Sequence, residues 1–144
     1  MSAIHSYLTF NGTCENAFNF YKSVFGGDFP AIMRFKDVPS EHPFPESAKE
    51  QIMHMTLPIG KNSILMGSDS PEVFGGDPVV QGNNFSVAIV AESEEEARRL
   101  FNGLSEGGKV TMPLEKAFWG AYFGMFTDKF GIHWMVNYDY ENNK

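Results

Sequence analysis

Cysteine is almost missing from this sequence, since Cys14 is the only one among 144 residues. A single cysteine excludes a disulfide within the chain and a zinc site built on cysteine ligands. Cys14 also falls on the apolar stripe of a predicted helix, so we expect a buried thiol without reactivity.

Long apolar runs are missing as well, because no stretch of the sequence approaches the roughly 20 residues of a membrane span. No basic and then apolar segment stands at the first residues. The pattern therefore predicts a cytoplasmic protein that does not enter a membrane.

Basic residues are few: 11 Lys and Arg stand against 18 Asp and Glu, which gives a formal net charge of −7. Nucleic-acid binding needs a basic face, so this balance argues against a nucleic-acid partner.

Aromatic residues are abundant by contrast, at 15% with 14 Phe. Most of these rings should pack in the core, and some should line a pocket.

One pattern of residues occurs twice in the sequence, first at residues 4–27 and again at residues 84–108. Each copy predicts a strand, a turn, an amphipathic helix and a glycine stop, and further short strands follow each copy. We predict a single α+β domain over residues 1–144, with two βαβββ modules that face each other and form a cupped mixed sheet with helices outside. The expected boundaries are about 1–69 for module one, 70–82 for the linker, 83–139 for module two and 140–144 for the tail.

Several local expectations accompany this fold. Thr13 should cap the first helix, and Ser93 with Glu96 forms a capping box for the second. Residues 29–35 should form a strand, and residues 37–49 an exposed loop that is either a lid or a surface excursion. Pro113 should interrupt the strand pattern that starts at Lys109.

Strand alternation predicts a pocket on the sheet faces that the helices leave uncovered. His5, Tyr7 and Thr9 share one such face, and His133, Met135 and Asn137 share another. These faces mix apolar and polar side chains, as small-molecule sites do, although solvated strand surface is the plain alternative. The candidate ligand-pocket residues are His5, Tyr7, His54, Met66, Ser86, Trp119, Phe126, His133, Met135 and Asn137.

Three segments together resemble a known family: YLTFNGTCENAFNFYKSVFGG, HMTLPIGKNSILMGSD and FWGAYFGMFTDKFGIHWMVNYD. They are similar to the PhnB-like branch of the glyoxalase/bleomycin-resistance superfamily, also called vicinal oxygen chelate proteins. Some members of that branch carry the name 3-demethylubiquinone-9 3-methyltransferase. This sequence has no Gly-rich strand-to-helix loop for S-adenosylmethionine, so we do not expect methyl transfer.

The resemblance implies a divalent metal in the cup of catalytic members, held from the first and last strands of each module by His, Glu or Gln. His5 matches the first of these positions, whereas Ser86, Leu65 or Met66, and Met135 supply no such donor. A site for a divalent ion needs about three nitrogen or oxygen ligands. We therefore predict no cofactor and no intact metal site, with His5 as a remnant position. A divalent metal completed across a dimer is the alternative.

Two residues can each have either of two roles. His5 is the best catalytic candidate, as a general base near neutral pH, or else a polar pocket residue bonded to Ser86 or to water. Trp119 either contacts a ligand or closes one end of the core.

The expected function is binding of a small organic molecule in the cup, by stacking on Tyr7, Trp119 and Phe126, with polar contacts from His5, Ser86 and Asn137. The alternatives are a metal-dependent lyase, isomerase, dioxygenase or thiol transferase, and a homodimeric domain without a dedicated ligand. In each case we expect a homodimer, because sheet edges and apolar aromatic surface remain to be covered.

Overall fold

The computed structural model describes residues 2–37, 46–70 and 79–140, which divide between two compact units, Met1–Val80 and Gln81–Lys144. Most of the candidate lid (38–45), most of the predicted linker (71–78) and nearly all of the predicted tail (141–144) lie outside the described residues. Within those that are described, no helix is long and apolar enough to cross a bilayer.

Each unit follows the order βαβββ, so the predicted repeat and the α+β class are confirmed. The first unit contains β1 (Ser6–Phe10), α1 (Cys14–Phe25), β2 (Ile32–Arg34), a 3-10 turn (Phe35–Asp37), α2 (Glu46–Lys49), β3 (Ile52–Ile59) and β4 (Ser63–Asp69). The second unit contains β5 (Val87–Val90), α3 (Glu94–Ser105), β6 (Lys109–Lys116), β7 (Ala121–Thr127) and β8 (His133–Asp139).

The two sheets have the same topology. Their strand orders are β1-β4-β3-β2 and β5-β8-β7-β6. In each sheet the first strand pairs in parallel with the last, and the other pairs are antiparallel. The parallel pair forms because the helix carries the chain back across one face of the sheet before the remaining strands are added.

The core of the first unit lies between α1 and one face of its sheet. The predicted apolar stripe of α1 is buried at Cys14, Ala17, Phe18 and Tyr21, against Leu8, Phe10, Leu57 and Leu65 of the strands. Phe18 packs so closely on β4 that a Cβ atom at Gly67 would lie 2.6 Å from its ring.

The second unit repeats this arrangement. The buried residues of α3 are Ala97, Leu100, Phe101 and Leu104, and those of β7 and β8 include Phe126, Trp134 and Val136. Gly124 again leaves room for a ring, because a Cβ atom there would lie 2.6 Å from Phe101.

The two long helices begin differently. Ser93 Oγ accepts a hydrogen bond from the Glu96 amide at 3.1 Å, so the predicted cap of α3 is confirmed, although the Glu96 carboxylate bonds back to the Glu92 amide instead of the Ser93 amide. The predicted side-chain cap at Thr13 is wrong, since Thr13 makes no such bond. Asp69 replaces it from β4, where its Oδ1 accepts from the amides of Gly12 and Cys14, each at 3.0 Å.

Three local predictions need correction. The strand expected over residues 29–35 is only Ile32–Arg34, because the chain turns into the 3-10 segment at Phe35. Part of the expected exposed loop is α2, which buries Ala48. Strand β6 runs unbroken through Pro113, which an edge strand tolerates and which falls at a register irregularity between Met112 and Glu115.

Candidate functional site

Each sheet has one face covered by its long helix, and no helix of the described residues covers the other face, which we call the helix-free face. On β1, Leu8 and Phe10 are buried toward α1, whereas Tyr7 and Thr9 are exposed. The helix-free face of the first unit therefore carries Tyr7, Thr9, His54, Thr56, Met66 and Ser68.

Tyr7 and His54 form a pair on this face. Their rings are stacked with centroids 5.8 Å apart, and Tyr7 Oη lies 3.5 Å from His54 Nδ1. Tyr7 is also the direct register partner of Met66, which in turn pairs with Thr56. An aromatic ring, an imidazole, a thioether and a hydroxyl thus lie together, a mixture that suits an organic molecule with an apolar body and a polar group.

His5 lies outside this register. It precedes β1, is exposed, and the parallel ladder begins at Ser6 with Leu65. The residue beside Met66 is Tyr7, two positions later. Ile4 also precedes the strand and is 98% exposed.

In the second unit, too, the candidate residue of the first strand lies before the ladder. Met135 pairs with Ala88 of β5, whereas Ser86 precedes the strand. Its helix-free face carries Ala88, Val90, Phe123, Met125, Thr127, His133, Met135 and Asn137, since these residues alternate with those that pack on α3.

His133 is held at both ring nitrogens. Its Nε2 lies 2.7 Å from the Gly82 carbonyl oxygen, and its Nδ1 lies 2.8 Å from Thr127 Oγ1. A carbonyl oxygen only accepts, so Nε2 carries the hydrogen, and Nδ1 of the neutral ring accepts from the Thr127 hydroxyl. His133 therefore fastens the segment before β5 to β8, and it could ligate a metal only by giving up one of these bonds.

Phe126 requires a correction. It is 1% exposed and packs edge-to-face on Phe101 of α3, with centroids 5.0 Å apart. It therefore belongs to the core and cannot stack on a ligand at the helix-free face. Phe123, three residues earlier and on the opposite side of β7, is the aromatic residue that faces outward, and the sequence prediction missed it.

Trp119 lies in the turn between β6 and β7 and is 55% exposed. The turn closes through a hydrogen bond from the Gly120 amide to the Ala117 carbonyl at 3.1 Å, with Gly120 at φ +91°. The indole makes edge contacts with Phe118 and Phe123, at centroid distances of 5.1 and 5.7 Å. Trp119 thus continues the apolar surface that Phe123 starts.

The acidic and sulfur groups of the described residues offer little for a metal. No group of three or more His, Cys, Asp or Glu side chains lies close enough together in the described ranges to hold an ion. Burial raises the pKa of the Cys14 thiol well above its ordinary value, and the negative charges of Asp69 and Glu15 add to the effect. The thiol therefore stays protonated and is neither a nucleophile nor a soft metal ligand.

The donor set does not fit the metal that the fold family implies. The four positions that the resemblance points to hold one imidazole (His5), one hydroxyl (Ser86) and two thioethers (Met66 and Met135). Thioethers are soft ligands, whereas divalent ions of catalytic sites require nitrogen or carboxylate oxygen donors. No catalytic step through a metal follows from these residues.

Comparison with known proteins matches residues 3–136 to the model of the Glyoxalase/Bleomycin resistance protein/Dioxygenase superfamily. Protein YjdN of Escherichia coli strain K12 is 30% identical to this chain over 142 residues, which cover 91% of each protein.

Solved structures agree with the sequence matches. Protein PA1353 from Pseudomonas aeruginosa is 42% identical, covers 96% of this chain and 98% of its own, and superposes with a TM-score of 0.84. A PhnB protein from Bacillus cereus is 26% identical over 95% of this chain and 99% of its own, with a TM-score of 0.74. These matches confirm the resemblance drawn from the three sequence segments: the chain belongs to the Glyoxalase/Bleomycin resistance protein/Dioxygenase superfamily and is similar to its PhnB-like proteins.

Proposed function

We propose that this protein binds a small organic molecule at the helix-free faces of its sheets, without the metal that catalytic members of the superfamily use. The observation that carries the proposal is the composition of these faces. Each combines aromatic or thioether side chains with a few polar groups, and neither is covered by a helix of residues 2–37, 46–70 or 79–140.

The Tyr7–His54 pair supports binding in the first unit. The stacked rings offer an apolar surface, and the Tyr7 hydroxyl and the imidazole of His54 offer hydrogen bonds beside it. A ligand with an aromatic ring would gain stacking, which contributes about 0.5–1.5 kcal/mol beyond burial of its area.

Metal-free binding is supported by the donor chemistry. One imidazole with a hydroxyl and two thioethers falls short of the three hard donors that a divalent site requires. Binding by stacking and hydrogen bonding needs none of them.

A thermal-shift screen of small aromatic compounds, followed by calorimetric titration of each hit, tests the proposal. Tyr7→Ala should weaken binding by about two- to twelvefold, which corresponds to the loss of one stacking contact. The matched control is Tyr138→Ala, because Tyr138 stands on β8 opposite Tyr122, on the side of the sheet that α3 covers. Equal effects of the two variants, or a screen without any hit, would contradict the proposal.

Metal content separates this function from a metal-dependent enzyme. Untagged protein purified without chelator should contain no stoichiometric Mn, Fe, Ni or Zn, and His5→Ala should leave the measured content unchanged. Near-stoichiometric metal that is lost in His5→Ala would replace the binding function with a metal-dependent one.

We also propose that the protein is a homodimer. Support comes from the apolar residues left exposed on edge strands, which include Ile32 and Met33 on β2 and Val110 and Met112 on β6. Light scattering coupled to size exclusion should give about twice the 16.1 kDa of one chain. A monomer mass at all concentrations would contradict this assembly.

A further inference from the structure

We propose that Trp119, Phe123 and the carboxylate of Glu115 bind the positively charged group of an organic cation, such as a protonated amine or a quaternary ammonium. This inference rests on the proposed function and deepens it, because it names the charge class of the ligand at one part of the second unit.

The register places these groups on one side of the sheet. Phe123 of β7 pairs directly with Glu115 of β6 and with Asn137 of β8, and Asn137 pairs with Val90 of β5. Side chains of directly paired residues point to the same face, with Cβ atoms about 4.5–5.5 Å apart. Glu115, Phe123, Asn137 and Val90 therefore form one row across the helix-free face.

One close approach identifies this face as the helix-free one, and one hydrogen bond agrees with the register. Gly124, the next residue on β7, faces Phe101 of α3, so Phe123 points away from the helix. Thr127 and His133, which pair in the same ladder on the same side as Phe123, join through their side chains at 2.8 Å.

The aromatic part of the site has the geometry that a cation requires. Trp119 lies with its ring centroid 5.7 Å from that of Phe123 and remains 55% exposed. Ring faces attract cations that approach within about 6 Å of the centroid, and tryptophan does so most strongly. Part of the indole surface is open to such an approach.

The local charge has the complementary sign. Glu115 is exposed beside Phe123. Two basic residues of this unit are turned to the other side of the sheet, where Lys116 lies over the Tyr140 ring at 5.6 Å and Arg98 over the Tyr122 ring at 6.0 Å.

Two further charged residues belong to this face, a lysine far along the sheet and an aspartate closer to Asn137. Lys109 pairs with Thr127, four residues along β7 from Phe123, which places it about 13 Å away along the strand. Asp139 stands two positions beyond Asn137 on the same side of β8. The chain as a whole carries a net charge of −7, which favours the approach of a cation over that of an anion.

The test compares choline with 3,3-dimethyl-1-butanol, which has the same shape without the charge. Binding to the full chain is followed by tryptophan emission, because Trp119 is exposed and the second tryptophan, Trp134, is buried. Choline should bind at least fivefold more tightly than the alcohol, and added salt should weaken choline alone.

Substitutions locate the site. Trp119→Leu keeps apolar bulk but removes the ring, and Glu115→Gln removes the charge; each should weaken choline binding, measured by calorimetry, by about two- to fivefold. Glu106→Gln removes the same charge from an exposed glutamate after α3 and should change nothing. Circular dichroism melts verify that each variant is folded.

The outcomes distinguish this inference from the proposed function. If the alcohol binds as tightly as choline and Trp119→Leu weakens the binding of both, the site binds organic molecules, but the inference that it prefers a cation is wrong. If neither compound binds, or if Glu115→Gln and Glu106→Gln behave alike, the cation inference fails, and the aromatic screen decides the function separately. If Trp119→Leu converts a dimer to a monomer and choline does not bind, the Phe118–Trp119 surface is an interface between copies, which also overturns the inference.

Discussion

Two buried aspartates accept several hydrogen bonds each, Asp69 from segments far apart in the chain and Asp128 from residues that follow it within six positions. Asp69 accepts hydrogen bonds from the amides of Gly12, Cys14 and Ile52. Asp128 accepts from the amides of Phe130 and Ile132 and from Trp134 Nε1. A carboxylate has enough lone pairs for such a set, and bonds to a charged acceptor are stronger than neutral ones.

Replacement of Asp69 by alanine should therefore be costly. Three amide groups would lose their acceptor, two of them in buried positions, and we expect Asp69→Ala to lower the free energy of unfolding by about 2–5 kcal/mol. Urea denaturation of the variant and of the wild type measures this change in the free energy of unfolding. Asp28→Ala is the control, because Asp28 is 94% exposed and pairs with Lys22 at the surface, so its loss should cost no more than about 1 kcal/mol. Equal losses in the two variants would show that Asp69 has no special structural role.

The ion pair between Arg34 and Glu15 gives the first unit a pH dependence. Arg34 Nη1 and Nη2 bond the Glu15 carboxylate oxygens at 3.1 and 2.5 Å. These hydrogen bonds, aided by the charge of Arg34 and opposed by partial burial, hold the pKa of Glu15 below its ordinary value. A carboxylate with a lowered pKa in the folded state stabilises the protein above its unfolded pKa and loses that effect as pH falls through the folded pKa.

Glu15→Gln should therefore reduce stability at neutral pH and have little effect in acid. The Arg34 and Glu15 side chains are 23% and 44% exposed, so solvent screens the pair in part, and we expect a difference of about 0.5–1 kcal/mol from the wild type at pH 7. The difference should shrink below about pH 4, where an unperturbed glutamate is protonated. Urea denaturation at a series of pH values measures it, with Glu106→Gln as control. A difference that grows on acidification would refute the assigned role of the pair.

At the residue scale, the sequence predicted the side-chain classes of the helix-free faces better than their individual members. Period-two alternation placed Tyr7, His54, Met135 and Asn137 correctly on those faces. It chose Phe126 in place of Phe123, because alternation within one strand gives two faces but not which of them meets the helix. That choice depends on the register with β8, where Phe126 pairs with the buried Trp134.

The elements differ in what fixes their ends. Helix α3 is capped locally by Ser93, whereas the start of α1 depends on Asp69 from a distant strand. Local caps can be found from the sequence, because the spacing of Ser93 and Glu96 is itself the signal. A cap supplied from 55 residues away cannot be found in this manner.

The two helix starts predict responses of different size to alanine substitution. Ser93→Ala should destabilise the protein by about 1 kcal/mol, because the Glu96 amide loses its acceptor. Thr13→Ala should change stability by less than about 0.5 kcal/mol, since its exposed side chain caps nothing. Chemical denaturation of both variants measures the contrast, and a larger loss at Thr13 would contradict the capping described here.

Element boundaries followed the sequence where the pattern was regular and departed from it elsewhere. The two long helices carry buried apolar stripes, as their periodicity predicted. Helix α2 was missed because four residues are too short to show a helical period. Strand β6 was divided wrongly at Pro113, because a proline on an edge strand removes no hydrogen bond that the sheet needs.

At the scale of the whole molecule, the repeat was the most informative feature of the sequence. The repeat predicted the order of elements in both units. The strand orders β1-β4-β3-β2 and β5-β8-β7-β6 are equivalent, which confirms that the two units are alike. Function was less accessible, because the periodicity that specifies a fold depends only on which residues are apolar. The chemistry of a ligand depends on a few exposed side chains, such as Glu115, which no motif marks.

The most direct test of metal-free binding is a calorimetric titration of the tightest-binding aromatic hit into the protein before and after dialysis against a chelator. Stacking on Tyr7 and hydrogen bonding by His54 require no ion, so the dissociation constant should be the same in both titrations. Binding that disappears after chelation and returns on addition of Mn, Fe, Ni or Zn would contradict the account and assign the protein to the metal-dependent branch of its superfamily.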